Sequence, residues 1–249
     1  MAPSLNGSTA LVTGATSGIG RAIAQVLAER GAHVVVSGRD AARGEQTVRE
    51  IRAAGGKADF VQADLGSAAA ARRLAHEARQ LTGGIDILVN NAGVYPFAGT
   101  ADTTEEVFDQ VFDVNVKAPF FLAAELVPAM VDKGGGAIVN VSSVAADKAV
   151  LGATAYGSSK SAVNQLTRIW AAEYGPSGVR VNAVLPGVTE TEGVQAALGD
   201  DRSEFLAMTP AGRVGLPGEV AEAVAFLVSD AASYVNGALL TVDGGASVT

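Results

Sequence analysis

Short, nearly continuous apolar runs alternate with helix-like segments along most of this chain. The runs lie at residues 9–13, 33–37, 60–61, 85–90, 137–141, 179–185 and 238–242, and helices are predicted at 21–30, 40–55, 68–81, 103–130, 156–174 and 219–229. Strands that are apolar along their whole length are buried on both faces, as in a parallel sheet covered by helices on each side. The sequence therefore predicts an α/β fold with a doubly wound, mostly parallel, seven-stranded sheet, formed by one domain over residues 1–249.

Charge and residue usage exclude several classes of function. The chain has 18 basic and 26 acidic residues, a net charge of -8, and its basic residues are scattered, so we expect no nucleic-acid partner and no anionic membrane surface. It has no cysteine and only two histidines, His33 and His76, which leaves no material for a metal site, a thiolate nucleophile or a serine–histidine triad. We recognise no signal peptide and no apolar run long enough to span a bilayer, so we expect a cytoplasmic protein.

A glycine-rich turn follows the first apolar run and precedes the first helix. Its spacing is Gly14-x-x-x-Gly18-x-Gly20, one residue longer than the common dinucleotide fingerprint. Glycines let the backbone approach a pyrophosphate closely, and the free N–H groups at the helix N-terminus favour an anion there. The turn could also be only a tight connection, but its place between a strand and a helix favours a dinucleotide site.

Tyr156 and Lys160 lie four residues apart in a predicted helix, so their side chains share one helix face. A fixed cation beside a phenol favours the phenolate, and we expect it to lower the pKa of the tyrosine from its ordinary value of about 10. A tyrosine tuned in this way can move a proton to or from an alcohol oxygen. Taken alone, the pair could equally be a packed aromatic residue and a solvated lysine.

Further motifs favour the chemical interpretation, because they follow one another in a fixed order. They are Thr13-Gly14-x-x-x-Gly18-x-Gly20, Asp64-Leu65, Asn90-Asn91-Ala92-Gly93, Asn115, Ser143, Tyr156-x-x-x-Lys160, Pro186-Gly187 and Asp243-Gly244-Gly245. This ordered set resembles the short-chain dehydrogenase/reductase family, in its branch of 3-oxoacyl-[acyl-carrier-protein] reductases and carbonyl reductases. The resemblance implies a Rossmann fold and an oxidoreductase that moves a hydride between a nicotinamide cofactor and a ketone or secondary alcohol.

The resemblance also implies which residues form the site. The catalytic tetrad would be Asn115, Ser143, Tyr156 and Lys160, with Ser143 preferred to Ser142 because the family serine lies thirteen residues before the tyrosine. Ser143 and Tyr156 would bind the substrate oxygen, Lys160 the nicotinamide ribose, and Asn115 a water on the proton path. The residues expected at the cofactor are Gly14, Thr16, Ser17, Gly18, Ile19, Gly20, Arg39, Asp64, Leu65, Asn91, Ala92, Gly93, Tyr156, Lys160, Pro186, Gly187, Thr189 and Thr191.

The end of the second predicted strand bears on the choice of cofactor. An acidic residue there selects NAD through the ribose 2'-OH, whereas an arginine accommodates the 2'-phosphate of NADP. Gly38 stands where members of the family that select NAD place an aspartate, and Arg39 follows it. We interpret Asp40 as a helix N-cap. NADP(H) is therefore favoured over NAD(H), although Arg39 could also be a plain surface charge.

The substrate side of the site is less constrained by sequence. A lid over the site is predicted at about residues 188–213. An uncharged, apolar ketone or alcohol is favoured by the residues expected to line the pocket with Ser143 and Tyr156, which are Tyr95, Val150 and Leu151.

Two alternatives and an assembly follow from the same resemblance. A 3-oxoacyl-[acyl-carrier-protein] reductase is the main alternative, but the acidic chain would repel an acidic carrier, and Pro128 stands where a basic residue would be expected. A non-catalytic cofactor-binding regulator is the other alternative, although such proteins usually lose a tetrad residue and this chain has all four. A homotetramer is expected, built on the helices that start at Thr103 and Tyr156, and the mean hydropathy of +0.26 fits that expectation.

Overall fold

Seven strands form one sheet, and every pair of neighbouring strands is parallel. The structure is a computed structural model that describes residues 4–198 and 209–248. The strand order is β3-β2-β1-β4-β5-β6-β7, and every neighbouring pair has parallel register. The strands are β1 (Thr9–Thr13), β2 (His33–Gly38), β3 (Lys57–Gln62), β4 (Ile87–Asn90), β5 (Gly136–Val141), β6 (Val179–Pro186) and β7 (Leu239–Val242). This order reverses at β1, which confirms the predicted doubly wound Rossmann sheet.

Helices cover both faces of the sheet, because the strand side chains on both faces are apolar. Val34 and Val36 of β2 belong to one core, while Val35 between them belongs to the other. The first core is covered by α1 (Gly18–Glu29), α2 (Ala41–Ala53) and α8 (Pro217–Val228), and the second by α3 (Ala68–Thr82), α5 (Ala118–Asp132) and α6 (Thr154–Tyr174). Two shorter helices are α4 (Glu105–Phe112) and α7 (Glu192–Leu198).

Strand β3 is longer than the two-residue apolar run that predicted it. It lies at the edge of the sheet, and only Ala58 and Val61 are buried, while the residues at both ends are exposed. The exposed positions carry the polar residues Lys57 and Gln62, which hide an edge strand from a search for apolar runs.

The helix predicted from residue 103 to 130 is interrupted. α4 and α5 are joined by a π-helical segment, Asp113–Lys117, which contains Asn115. Pro119 lies in the first turn of α5, directly after the π segment, whereas Pro128 lies inside α5. Asn115 therefore lies in a π-helical turn rather than in a regular α-helical turn, and its side chain is buried there.

By length and composition, the expectation that no segment is long and apolar enough to span a bilayer was wrong. The helical run Glu105–Asp132 is long enough and apolar enough to do so. Its apolarity has a structural reason: Ala118, Leu122 and Leu126 pack on the sheet, while Phe108 and Phe120 are exposed on the outer side of the same run. A helix that packs one apolar side on a core and also carries apolar residues on its outer side has the length and hydropathy of a membrane span for that reason alone.

Candidate active site

The glycine turn after β1 leaves no room for a side chain at Gly14 or at Gly20. Gly14 has a φ of 64°, and a Cβ on it would lie 2.9 Å from Ala92 Cα. A Cβ on Gly20 would overlap the Gly14 carbonyl oxygen. Ser17 is the N-cap of α1 but, among the residues that the structure describes, gives that helix no side-chain hydrogen bond. A cradle of this kind at a helix N-terminus fits a dinucleotide pyrophosphate.

Thr13 and Asn91 tie this turn to the end of β4. The Thr13 hydroxyl accepts hydrogen bonds from the backbone N–H groups of Asn91 and Ala92, both at 3.0 Å. The Asn91 amide donates to the carbonyl oxygens of Thr13, at 2.8 Å, and of Gly14, at 3.1 Å. Asn91 and Ala92 therefore support the turn from below. Thr13 was not among the predicted site residues, although it begins the motif that signalled the turn.

Of the two cofactor residues predicted after β3, Asp64 and Leu65, only one has an exposed side chain. Asp64 is exposed, whereas Leu65 is buried in the core with Val61. The Leu65 side chain fixes the segment after β3, so only the backbone of this residue is left to face a cofactor.

Arg39 is exposed at the end of β2. Its backbone carbonyl accepts a hydrogen bond from Gln62 at 2.8 Å, and its guanidinium has no hydrogen bond or ion pair within the described part of the chain. A Cβ on the preceding Gly38 would lie 2.5 Å from the Thr16 methyl group. Asp40 accepts a hydrogen bond from the Arg43 N–H at 3.0 Å, which confirms it as the N-cap of α2. A carboxylate at position 38 would therefore displace Thr16.

The segment after β6 returns to the glycine turn. The Gly187 N–H donates to the Val242 carbonyl at 3.0 Å, and the buried Thr189 pairs with Gly215. A Cβ on Gly18 would lie 3.1 Å from the Thr191 methyl group. The segment predicted after β6 to contact the cofactor thus ends beside the glycine turn. Of the lid predicted at 188–213, residues 192–198 form α7, and residues 199–208 lie outside the described residues.

Tyr156 and Ser143 face each other across the ends of α6 and β5. Tyr156 lies in the first turn of α6, and the Ser143 hydroxyl is close enough to its phenol to act on the pKa of Tyr156 in the lowering direction. The neighbouring Ser142 points elsewhere, with its hydroxyl donating to the Lys160 carbonyl at 3.3 Å. This difference favours Ser143 over Ser142 as the serine of the site.

Lys160 is buried one turn along α6 from Tyr156. Its ammonium donates to the Val141 carbonyl at 2.7 Å and lies 5.8 Å from the centre of the Tyr156 ring. A Cβ on Gly93 would lie 3.5 Å from the same ammonium. Burial lowers the pKa of Lys160 to about 8. The segment after β4 therefore lies close to this cation.

The expected lowering of the tyrosine pKa is not found in this structure. Burial raises the pKa of Tyr156, and this effect exceeds the lowering by the Ser143 hydroxyl. The Lys160 ammonium is directed at the Val141 carbonyl rather than at the phenol oxygen. Sequence spacing placed the two residues on one face correctly, but it could not show that desolvation outweighs the cation.

Asn115 is buried and uses its side chain within the protein. Its amide oxygen accepts from the Val94 N–H at 2.9 Å, and its amide nitrogen donates to the Val94 carbonyl at 2.9 Å. The same nitrogen donates to the Ser159 hydroxyl at 3.0 Å, and Ser159 donates to the Tyr156 carbonyl at 2.7 Å. Ser159 was not predicted, although it lies inside the Tyr156-x-x-x-Lys160 motif.

The predicted substrate residues differ in their position. Tyr95 stands beside Tyr156, with the two ring centroids 6.3 Å apart and an interplanar angle of 68°. Val150 and Leu151 lie in the loop before α6 and are exposed, Leu151 almost completely at 96%. Among the residues that the structure describes, no group of three His, Asp or Glu side chains could hold a metal ion.

Comparison with known proteins gives consistent matches over nearly the full chain. A family model described as enoyl-(acyl carrier protein) reductase matches residues 14–247. Human dehydrogenase/reductase SDR family member 4 is 42% identical over 97% of this chain and 88% of its own length. The cis-4-hydroxycyclohexanecarboxylate dehydrogenase of Sinomonas cyclohexanicum is 42% identical over 95% of each chain. A gluconate 5-dehydrogenase from Burkholderia cenocepacia, solved with NADP and tartrate, is 36% identical over 99% of this chain and 97% of its own, with a TM-score of 0.93.

Proposed function

The chain belongs to the short-chain dehydrogenase/reductase family of oxidoreductases, and we propose that it reduces an uncharged, apolar ketone to a secondary alcohol, or catalyses the reverse reaction. In this proposal NADP(H) is the cofactor and Tyr156 is the general acid and base. The observation that carries it is the meeting of Ser143, Tyr156 and the buried Lys160 beside a glycine cradle. The whole chain, residues 1–249, would act as one dinucleotide-binding domain.

The proposed roles follow from the chemistry of the side chains. The nicotinamide, when bound, supplies the hydride for reduction or accepts it in oxidation. Ser143 and Tyr156 hydrogen-bond the substrate oxygen and stabilise the negative charge that develops on it. Tyr156 donates its proton to that oxygen in reduction and takes it back in oxidation. Because burial raises the pKa of Tyr156, the residue is protonated at neutral pH and ready to act as the acid.

Lys160 and Asn115 support the tyrosine in different ways. With a pKa of about 8, Lys160 carries its positive charge in most molecules at pH 7 and can hold the ribose hydroxyls. The Asn115 amide donates to Val94 and Ser159, so a water on the proton path would contact the Asn115 backbone or the second lone pair of its amide oxygen.

The proposed cofactor is NADP(H) rather than NAD(H). Arg39 is exposed with a guanidinium that has no partner among the described residues, so it can meet a 2'-phosphate. Gly38 leaves no space for the carboxylate that would select NAD, since Thr16 fills it. The similar gluconate 5-dehydrogenase was solved with NADP, which agrees with this choice. The remaining proposed contacts are those named in the sequence analysis.

The proposal is tested by titration and by turnover. NADPH and NADH are each titrated into the purified protein, and the tighter cofactor is then used with cyclic ketones, aryl ketones, keto-esters and 3-oxoacyl thioesters. We expect tighter binding of NADPH and turnover of free ketones, seen as loss of reduced-nicotinamide absorbance. Turnover of thioesters alone would favour the acyl-carrier alternative, to which the matching family description also refers. Cofactor binding without any turnover would favour the regulator.

A homotetramer is proposed on the basis of exposed apolar residues. Phe108, Phe120 and Ile169 are each more than two-fifths exposed, on α4, α5 and α6. Large apolar side chains left exposed on three helices favour an interface between copies of a chain. Light scattering tests the proposal, and a monomer at micromolar concentration would contradict it. The cytoplasmic location stays a prediction.

A further inference from the structure

Tyr95 stands between the catalytic tyrosine and helix α7. Its ring contacts the Tyr156 ring edge to face, with centroids 6.3 Å apart. At its other end, the Tyr95 hydroxyl reaches Gly193, the second residue of α7. Tyr95 therefore spans the space beside the proposed proton donor, on the side of the site that α7 covers.

The Tyr95 hydroxyl occupies the space that a side chain at position 193 would fill. A Cβ on Gly193 would overlap the Tyr95 hydroxyl oxygen and would lie 3.1 Å from Cζ. The glycine is not required by its backbone, because its φ lies outside the left-handed region. Alanine would be the better residue for the helix itself. The contact with Tyr95 is thus the feature of the structure that accounts for glycine at this position.

α7 is held in place by contacts on the cofactor side. Glu192 forms an ion pair with Arg43 of α2, with 3.2 Å between Nη1 and Oε2. Thr191, just before α7, packs against Gly18 of the glycine turn. Tyr95, in contrast, is 42% exposed, and its hydroxyl is the free end of a side chain. A side chain added at position 193 would therefore move Tyr95 more easily than α7.

We propose that Tyr95 limits the size of the substrate group that can lie beside Tyr156. Because Gly193 has no side chain, the Tyr95 hydroxyl fits against α7, and Tyr95 can keep this position. Tyr95 is the specificity-determining residue, and Gly193 is a positioning residue that acts through it. The inference rests on the proposed function, since it takes Tyr156 to be the group that meets the substrate oxygen. It predicts that the native protein prefers ketones with a compact group on this side.

The kinetic test compares a small and a large aryl ketone, acetophenone and 2-acetonaphthone, with the preferred cofactor. We expect Tyr95→Ala to raise the ratio of kcat/KM for the large ketone to that for the small ketone at least tenfold. Gly193→Ala should shift the ratio in the same direction by a smaller factor. The double variant should match Tyr95→Ala, because an alanine at position 95 is too short to meet the new methyl group at position 193. Independent, multiplicative effects would overturn the proposal, as would an unchanged ratio in Tyr95→Ala.

A matched control separates the contact from a general effect of alanine in a helix. Gly218 lies in the first turn of α8, and a Cβ on it would meet nothing within 4 Å. Gly218→Ala should therefore leave the ratio unchanged. A shift equal to that of Gly193→Ala would contradict the role given to Gly193.

A thermal measurement tests the contact independently of catalysis. We expect Gly193→Ala to lower the Tm when residue 95 is tyrosine and to leave it unchanged or raise it when residue 95 is alanine. If no ketone is turned over, the proposed function fails, and this cycle still decides whether Tyr95 and Gly193 are coupled. If ketones are turned over but the two substitutions are additive in Tm, the inference fails and the proposed function stands.

Discussion

The amide nitrogen of Asn115 lies 3.0 Å from the hydroxyl oxygen of Ser159, and that hydroxyl in turn donates to the Tyr156 carbonyl at 2.7 Å. One buried serine therefore joins the π segment between α4 and α5 to the turn of α6 that carries the proposed proton donor. Because the same Asn115 amide also holds both backbone groups of Val94, the segment that leads to Tyr95 is fixed by the same unit. The position of Tyr156 thus depends on residues that do not touch its phenol.

Ser159→Ala is expected to loosen this unit. Loss of a buried hydroxyl with two partners should lower the free energy of unfolding by about 1 to 2 kcal/mol. It should also lower kcat, by a smaller factor than loss of the Tyr156 hydroxyl. Chemical denaturation and steady-state kinetics provide the two measurements. Ser161 is the matched control, because its hydroxyl also has two hydrogen-bond partners, the carbonyls of Ala146 and Gly157, but is exposed. Equal losses in Ser161→Ala and Ser159→Ala would show that burial of the unit is unimportant.

Tyr156→Phe is expected to remove turnover and to keep cofactor binding. The substitution deletes the proton donor and one of the two hydrogen bonds to the substrate oxygen, so kcat should fall by roughly 10²- to 10⁴-fold. The dissociation constant for NADPH should change by no more than about twofold, because Tyr156 is only one of many residues proposed to contact the cofactor. Tyr174→Phe, at the end of the same helix, serves as the control and should leave kcat intact. A Tyr156→Phe variant with the native rate would rule out the tyrosine mechanism.

Sequence patterns predicted most of the fold, because the five central strands, β1, β2, β4, β5 and β6, are apolar runs that are buried along nearly their whole length. β1, β2, β5 and β6 were placed within a residue of their ends, whereas the edge strand β3 escaped because its exposed positions are polar. Motif spacing predicted which residues of the candidate site lie together, as the contact between Ser143 and Tyr156 shows.

Contacts between residues distant in sequence could not be predicted in this way. The close approach of Gly193 and Tyr95 joins positions almost one hundred residues apart, and neither residue type signals the other. The direction of the Tyr156 pKa shift also depends on three-dimensional burial, which competes with the charge on Lys160. Periodicity reports the face of a helix, but not the strength of desolvation at one atom.

Lys160 is expected to make the stability of the protein depend on pH above 8. Its pKa is about 8 in the folded chain, against an ordinary value of 10.5, so between these values the unfolded chain binds more protons. The free energy of unfolding therefore rises with pH in this window, by about 3 kcal/mol in total, and the penalty for burying the ammonium is fully present below pH 8. The difference between the native protein and Lys160→Met, measured by urea denaturation from pH 7 to 9.5, isolates this contribution. A difference that stays constant over that range would show that Lys160 is not desolvated.

Arg39→Ala is expected to weaken NADPH binding and to leave NADH binding unchanged. A hydrogen-bonded charge on a 2'-phosphate contributes about 1.5 to 3 kcal/mol, so the dissociation constant for NADPH should rise roughly 10- to 100-fold. NADH lacks that phosphate, and its dissociation constant should stay within about twofold. Arg49→Ala is the matched control, since Arg49 lies on the exposed side of α2 and bonds only Gln46 among the described residues. Titration of nicotinamide fluorescence gives all the constants. If both cofactors weaken equally, or neither does, Arg39 is a surface charge and the preference for NADP(H) must come from another residue.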